Sequence, residues 1–364
     1  MNKQTVFCTI LSSSLLLTGC SSFLQRSYSS ITPHSAAPTV ESDQFTIRVE
    51  SYQDLVNALL YFVTQGKEEG TIRLYNYPYD MEEDLDAACT EVLCEDPLGA
   101  YALEEITYEV TPIVSCYEAN VFLHYRRTRE QINSITSTVG VTATRSVLRK
   151  SLTTFQQETA LRVSYFEGDE NTFFDLLEEA YFSAPETALG MPEATLSLYP
   201  KHGLHRILEI QLQFPLPTSV LQRQSVLVLR MRDQLLNSLP AEQGDALLLS
   251  IYDTLTKTIQ YNPMASASTY DALADGQANS QGLALTTALL CQKLNIPCLI
   301  VKGSKNDLSH YWNIVATQEG YRHFDLSNSV EAGTSPLRID QDMYDSGFRW
   351  DTAAFPQCAP PPEH

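Results

Sequence analysis

Residues 270–303 read YDALADGQANSQGLALTTALLCQKLNIPCLIVKG, and HYWNIV at 310–315 and YRHFD at 321–325 follow. Gly276-Gln277-Ala278-Asn279 is a polar break. From Ser280 onward, Ala284, Ala288, Cys291 and Leu294 recur at helical spacing, which predicts a helix with one buried stripe. Pro297 stops that helix, and CLIVK at 298–302 is a mostly apolar strand. Residues 303–309 are expected to be a loop before the strand HYWNIVA at 310–316, and a turn at Glu319-Gly320 leads back through YRHFD. The pattern predicts a buried helix on an antiparallel sheet. Ser280 then sits at the positive end of the helix dipole, where free backbone N–H groups, its own included, can hold an oxyanion.

Ser280, His310 and Asp325 come in the order and spacing that a nucleophile, a base and an orienting acid need. Each also has a structural reading. Serine is among the best helix N-caps, His310 can be a strand-end histidine, and Asp325 can start a turn before Leu326-Ser327-Asn328. Glu178-Glu179 falls on an expected solvated helix face, and His124, His202 and His205 fit strand or turn positions better than ligand roles.

Six landmarks in order decide between the joint and the separate readings. They are Tyr261 closing a helix, Gly276 with Ser280 and Gly282 opening the next, and Ile296-Pro297 leading into an apolar strand. Gly303, then His310-Tyr311-Trp312-Asn313, and Asp325 at the end of the following strand complete them. Over roughly the last third of the chain this resembles the transglutaminase-like (papain-like) superfamily. The tail, LRIDQDM at 337–343 and FRWDTAAFPQC at 348–358, is similar to the close of bacterial members. The resemblance implies that Ser280, His310 and Asp325 stand at the catalytic positions, and His323 lies outside the His-x-Trp-Asn context. In such enzymes a cysteine thiolate attacks a glutamine or peptide carbonyl, paired with a histidine that the aspartate orients. Ser280 departs from that pattern. A thiol ionises near pH ~8.5 and lower beside a cationic histidine, whereas a serine hydroxyl must lose its proton during the attack. Cys291, eleven residues along the same helix, lies about 16 Å from Ser280 at roughly 1.5 Å per residue and cannot substitute.

The N-terminus carries a separate signal. Lys3 precedes a short apolar run to Leu17, and Leu17-Thr18-Gly19-Cys20 is followed by serines. A basic start, a short apolar core and small residues before a cut site describe a secretory signal, and the run is too short for a transmembrane helix. The ending resembles a bacterial lipobox, which implies cleavage before Cys20, acylation of its thiol and attachment to the outer face of the cytoplasmic membrane. An ordinary signal peptide with an incidental cysteine is the alternative. Cys89, Cys94, Cys116, Cys291, Cys298 and Cys358 match no zinc spacing. Cys89, Cys291 and Cys298 lie in apolar runs and are expected to be small buried residues.

The chain has 364 residues and a formal charge of −20, with no basic stripe to neutralise phosphates, which excludes nucleic acid as a partner. No phosphate loop, metal-ligand cluster or cofactor motif stands out, so no cofactor is expected.

Between residues 44 and 225 a unit of order αβαββ is expected twice. Thr71 to Ala160 is 89 residues, Pro97 to Pro185 is 88, and Tyr125 to Phe214 is 89. Strands are expected at 71–77, 106–110 and 119–125 in the first copy, and at 160–166, 194–199 and 207–214 in the second. Helices include 83–94 and 172–182, and an amphipathic helix at 226–239 leads into the last domain. The fold class is therefore α+β. The expected parts are a signal peptide at 1–19, a tether at 20–43, repeats at 44–135 and 136–225, and a transglutaminase-like domain at 226–364. Three functions fit these parts. They are a pseudoenzyme that binds a peptide, protein or cell-wall ligand, a serine acyl hydrolase or protease, and a purely structural surface lipoprotein.

Overall fold

Helix punctuation organises the first part of the chain. The computed structural model describes residues 46–114, 116–164, 170–327 and 335–360. The lipobox, Cys20 and the tether lie outside the described residues, and no described helix is long and apolar enough to cross a membrane. Strand β1 (Thr46–Val49) is followed by α1 (Tyr52–Gln65), which Ser51 caps by accepting the Asp54 N–H and Gly66 ends in the left-handed region at φ 62°. Next come β2 (Glu69–Leu74), α2 (Met81–Cys94), α3 (Pro97–Ala102), β3 (Leu103–Ile113) and β4 (Cys116–Tyr125). Asp80 and Asp96 cap α2 and α3, each accepting two first-turn N–H groups. The strands form a sheet of order β1-β2-β4-β3 in which only β1 and β2 run parallel.

A second sheet has the order β5-β6-β8-β7, again with one parallel pair, β5 with β6. After α4 (Arg129–Asn133), whose Ile132 packs on the first core, its elements are β5 (Thr136–Val139), α5 (Gly140–Thr154), β6 (Glu158–Ser164), α6 (Glu170–Phe182), a 3-10 turn (Pro185–Thr187), β7 (Glu193–Tyr199) and β8 (His205–Gln213). Each sheet thus has a leading strand that the αβαββ pattern lacks. At four residues, TIRV and TSTV are too short for strand alternation to stand out in the sequence. Tyr101, Arg127, Tyr199 and Glu209 join the two parts. The Arg127 guanidinium donates to Glu209 Oε2 at 2.6 Å and lies over the rings of Tyr101 and Tyr199.

The remaining elements are α7 (Thr218–Ser238), α8 (Gly244–Thr258), β9 (Gln260–Tyr261), α9 (Thr269–Asp275), β10 (Gln277–Ala278), α10 (Ser280–Lys293), β11 (Cys298–Lys305), β12 (Leu308–Thr317), β13 (Gly320–Phe324), β14 (Leu337–Arg338), α11 (Asp340–Asp345) and β15 (Phe348–Arg349). Helix α7 starts eight residues before the expected 226, directly after Pro217, whose fixed φ suits a helix entry. An antiparallel sheet of order β14-β13-β12-β11-β15 receives α10.

Two expectations about this region are corrected. Residues 303–309 are a hairpin rather than a loop. Lys305 pairs with Leu308 across Asn306-Asp307, and both turn residues take positive φ (50° and 64°), the conformation of a two-residue hairpin turn. Helix α10 is buried all round between Gly282 and Cys291 rather than along one stripe. It lies against β11 and β12 on one side and α7, α8, α9 and the 3-10 turn on others, so no face of it is left to solvent between those residues. Leu285 joins the apolar core of the second sheet, and Ile300 packs against that core.

Candidate active site

Strand β13 leaves the ladder at Phe324, which pairs with Asn313, and so frees the edge of β12 at Tyr311 and His310. The first turn of α10 occupies that gap. Asn279, not Ser280, is the helix cap, with its Oδ1 accepting the Gly282 N–H at 3.0 Å. This corrects the capping reading of Ser280 and leaves its hydroxyl for other contacts. Ser280 Oγ accepts the Tyr311 backbone N–H at 3.2 Å and is nearly buried, at 8% exposure. Asn313 fastens the same junction by donating from Nδ2 to the Ala284 carbonyl at 3.0 Å.

The three predicted site residues are brought together here. His310 and Asp325 are both buried, with His310 Nε2 at 3.4 Å from Asp325 Oδ1. Ser327, which the sequence reading treated only as part of a turn, completes the group. Its hydroxyl donates to Asp325 Oδ2 at 2.9 Å, its backbone N–H donates to Asp325 Oδ1 at 2.9 Å, and its oxygen lies 3.1 Å from His310 Nε2. Because the hydroxyl proton goes to Asp325, Ser327 Oγ meets His310 as an acceptor. The network therefore assigns a proton to Nε2, and in the neutral imidazole Nδ1 then keeps the lone pair. Among the described residues no hydrogen bond engages Nδ1, and none joins Ser280 Oγ to the imidazole. Burial pushes the Asp325 carboxyl up, but the contacts with His310 and Ser327 outweigh it and hold it below the usual carboxylate value. The only sequence signal for Ser327 was the Asp-x-Ser spacing at 325–327.

Aromatic rings fix the imidazole from several sides. Trp312 stacks against it at 6.1 Å, and Phe348 and Tyr261 approach edge-on at 5.5 and 6.4 Å. Burial, and then the charge of Asp325, raise the Tyr261 phenol, so it stays protonated. Gly303, opposite His310 in the sheet, is required by this packing. A Cβ there would lie 2.3 Å from the Arg349 carbonyl oxygen and 2.7 Å from the Trp312 ring. On the side facing α10, Tyr311 meets Phe182 of α6 edge-on at 5.8 Å, and Lys302 pairs with Glu178 at 2.8 Å. The second sheet's helix layer thus forms one wall beside Ser280. Glu178 and its neighbour Glu179, which pairs with Arg145 at 2.7 Å, are ion-paired surface residues rather than an acid–base couple.

His323, Asp340 and Cys358 form a group whose ligand-type atoms lie within 4.8 Å of one another. The Trp312 indole N–H donates to His323 Nδ1 at 2.9 Å, so Nε2 bears the ring proton and donates to Asp340 Oδ1 at 2.9 Å. A neutral imidazole in this state has no lone pair left for a cation. Burial and the charge of Asp340 push the Cys358 thiol up to about 12. The arrangement suits a structural hydrogen-bond chain rather than a metal centre. The six described cysteines are free, and Cys89 and Cys291 are buried while Cys298 is half-buried.

No protein-family model matches the chain, and no curated protein matches it significantly. Among solved structures, one titled "Crystal structure of a TGase" is 11% identical and covers 62% of this chain and 66% of its own, at a TM-score of 0.27. A "Putative Cysteine Protease" from Cytophaga hutchinsonii is 12% identical over 38% of this chain and 63% of its own, at 0.26. A "putative protease" from Parabacteroides distasonis is 9% identical over 74% of this chain and 45% of its own, at 0.20. The chain thus spans no more than about two thirds of each of these structures. Superpositions this loose leave the functional reading to the residues themselves.

Proposed function

We propose that the chain is an exported protein, anchored to the membrane through a lipidated Cys20, that binds a peptide or cell-wall ligand with a transglutaminase-like domain at 226–364. The units at 44–135 and 136–225 serve as a duplicated scaffold, a reading supported by the shared strand order of the two sheets. One observation carries the binding function. Ser280 Oγ is engaged by the Tyr311 N–H and has no hydrogen bond to His310 among the described residues, so the base contact that would activate a hydroxyl is not made. The site keeps the partners of an acyl-transfer centre around a nucleophile of low acidity.

The His310 tautomer favours a second reading, a serine acyl hydrolase. With its proton on Nε2, His310 offers Nδ1 as a base. Ser280 Oγ would form a bond to a substrate carbonyl carbon as its proton passes to Nδ1, and the oxyanion would meet the Ser280 and Gln281 N–H groups, since Asn279 takes those of Gly282 and Leu283. The proton would then go to the departing amine, and water would release the acyl group from Ser280 by the same route.

Incubation with a fluorophosphonate probe separates the two readings. A pseudoenzyme leaves Ser280 unlabelled, and its Ser280→Cys variant gains a thiol that reacts with iodoacetamide faster than the exposed Cys94. Fluorophosphonate labelling that disappears in Ser280→Ala establishes the hydrolase instead. An inert thiol in Ser280→Cys points to a purely structural lipoprotein.

A further inference from the structure

We infer that Ser327 is a positioning residue for His310, its hydroxyl relaying the Asp325 carboxylate to the imidazole and holding the ring in the Nε2–H tautomer. This rests on reading Ser280, His310 and Asp325 as one site, whether it binds or turns over its ligand. The direct His310–Asp325 approach is 3.4 Å, beyond the ordinary range for an N–H···O bond to a carboxylate. The path through Ser327 is shorter at both steps, 3.1 Å to Nε2 and 2.9 Å to Oδ2. A hydroxyl can donate to the carboxylate and accept from the ring at once, which a second carboxylate or an amide nitrogen cannot do. Without that acceptor the ring is held in the Nε2–H form only by the longer 3.4 Å approach to Asp325, and a proton on Nδ1 would remove the lone pair that the hydrolase reading needs there.

The hydroxyl's part can be separated from the turn's. The Ser327 backbone N–H bonds Asp325 Oδ1 at 2.9 Å, and this contact survives any side-chain change. The other groups bearing on the imidazole come from different elements. They are the Tyr261 phenol of β9 and the rings of Trp312 and Phe348, while Lys305, whose charge bears on Asp325, and Arg338 lie 5.0 and 6.0 Å from the Phe348 ring centre. Among the described residues, the hydrogen-bond partners of His310 Nε2 are Asp325 and Ser327.

The test is 15N NMR of the intact chain with labelled histidine, with His310→Gln identifying the His310 signals. Wild type is expected to show one dominant Nε2–H tautomer. In Ser327→Ala the balance should move roughly fivefold to tenfold toward Nδ1–H, the scale of one lost neutral hydrogen bond. Ser327→Thr should restore it, and Ser327→Val, the isostere of threonine without the hydroxyl, should not. That pair decides the matter if alanine unsettles the fold. A Ser327→Ala or Ser327→Val spectrum identical to wild type overturns the inference. If Asp325→Asn shifts the tautomer and the Ser327 variants do not, only the role of Ser327 fails. If none of these variants shifts it, the joint site reading fails as well. Fluorophosphonate labelling does not enter this test, so loss of the hydrolase reading leaves it standing.

Discussion

Two histidine–aspartate pairs share one face of the same sheet, and Trp312 lies between them with its ring centre 6.1 Å from each imidazole. In the His323–Asp340 pair both ring nitrogens are spoken for, at 2.9 Å to the Trp312 indole and 2.9 Å to the carboxylate. The Asp340 carboxylate is tied down further by the Cys358 N–H at 3.2 Å, while the Asp340 N–H bonds the Cys358 carbonyl. In the His310–Asp325 pair only Nε2 is engaged, and the carboxylate is reached at 3.4 Å with Ser327 alongside. Saturation marks a residue that holds the structure together. An imidazole with one nitrogen fixed and the other without a hydrogen bond is the one that the proposed function assigns to a ligand. Residue type and burial do not distinguish the pairs, because both histidines are buried beside a carboxylate.

The strongest way to disturb both pairs at once is to remove the ring they share. Trp312 is 1% exposed and packs against His310, His323, Phe348 and Trp350. Trp312→Ala is expected to cost ~3–5 kcal/mol, the range for losing a large aromatic from a core. Urea denaturation would read this as a lowered midpoint. A loss below about 1 kcal/mol would mean that the two imidazoles do not depend on a common support.

The candidate site could be proposed from the sequence because each of its landmarks is local to one element. His310-Tyr311-Trp312-Asn313 sits within one strand, and Ser280 opens one helix. The part that could not be read lies in contacts that spacing does not encode. Asn279 and Ser280 are adjacent and both are good caps, and only coordinates show that the Asn279 side chain takes the role. His323 bonds Asp340 across seventeen residues of sequence, so nothing local marked it as saturated. The all-round burial of α10 also escaped the periodicity argument, because a helix buried on every side has no polar face to give it a phase. The leading strands β1 and β5 were too short to register.

A smaller perturbation breaks the saturated pair alone. His323→Phe keeps a ring in the core but leaves the Trp312 indole N–H and an Asp340 oxygen without their partner, at ~1–3 kcal/mol for each orphaned group. It should also change how stability depends on pH. Burial holds the His323 imidazole below its usual value of 6.5, although Asp340 pulls it up. The unfolded chain therefore takes up that proton first, and the contribution of His323 is complete above about 6.5 and lost as pH falls below it. Urea midpoints of wild type at pH 7.5 and pH 5.5 should differ by more than those of His323→Phe. Equal differences would mean that His323 is not held neutral by its surroundings.

The smallest expected effect comes from the open pair. Asp325→Asn keeps an oxygen for the Ser327 N–H but replaces a charged acceptor with a neutral one, at about 1 kcal/mol near neutral pH. The native carboxyl is held below its usual 3.8, so its stabilisation is present above that value and is lost as pH falls through the folded-state pKa. Asp325→Asn should therefore flatten the acid limb of the stability curve below about 3.8 and leave the interval between 4.5 and 7 unchanged. His323→Phe should do the reverse, acting below 6.5 and sparing the acid limb. Urea midpoints of both variants across pH 2.5 to 7.5 would test the contrast directly. If both variants alter the same pH interval, the two pairs titrate as one network through Trp312, and the distinction between a saturated pair and an open one is lost.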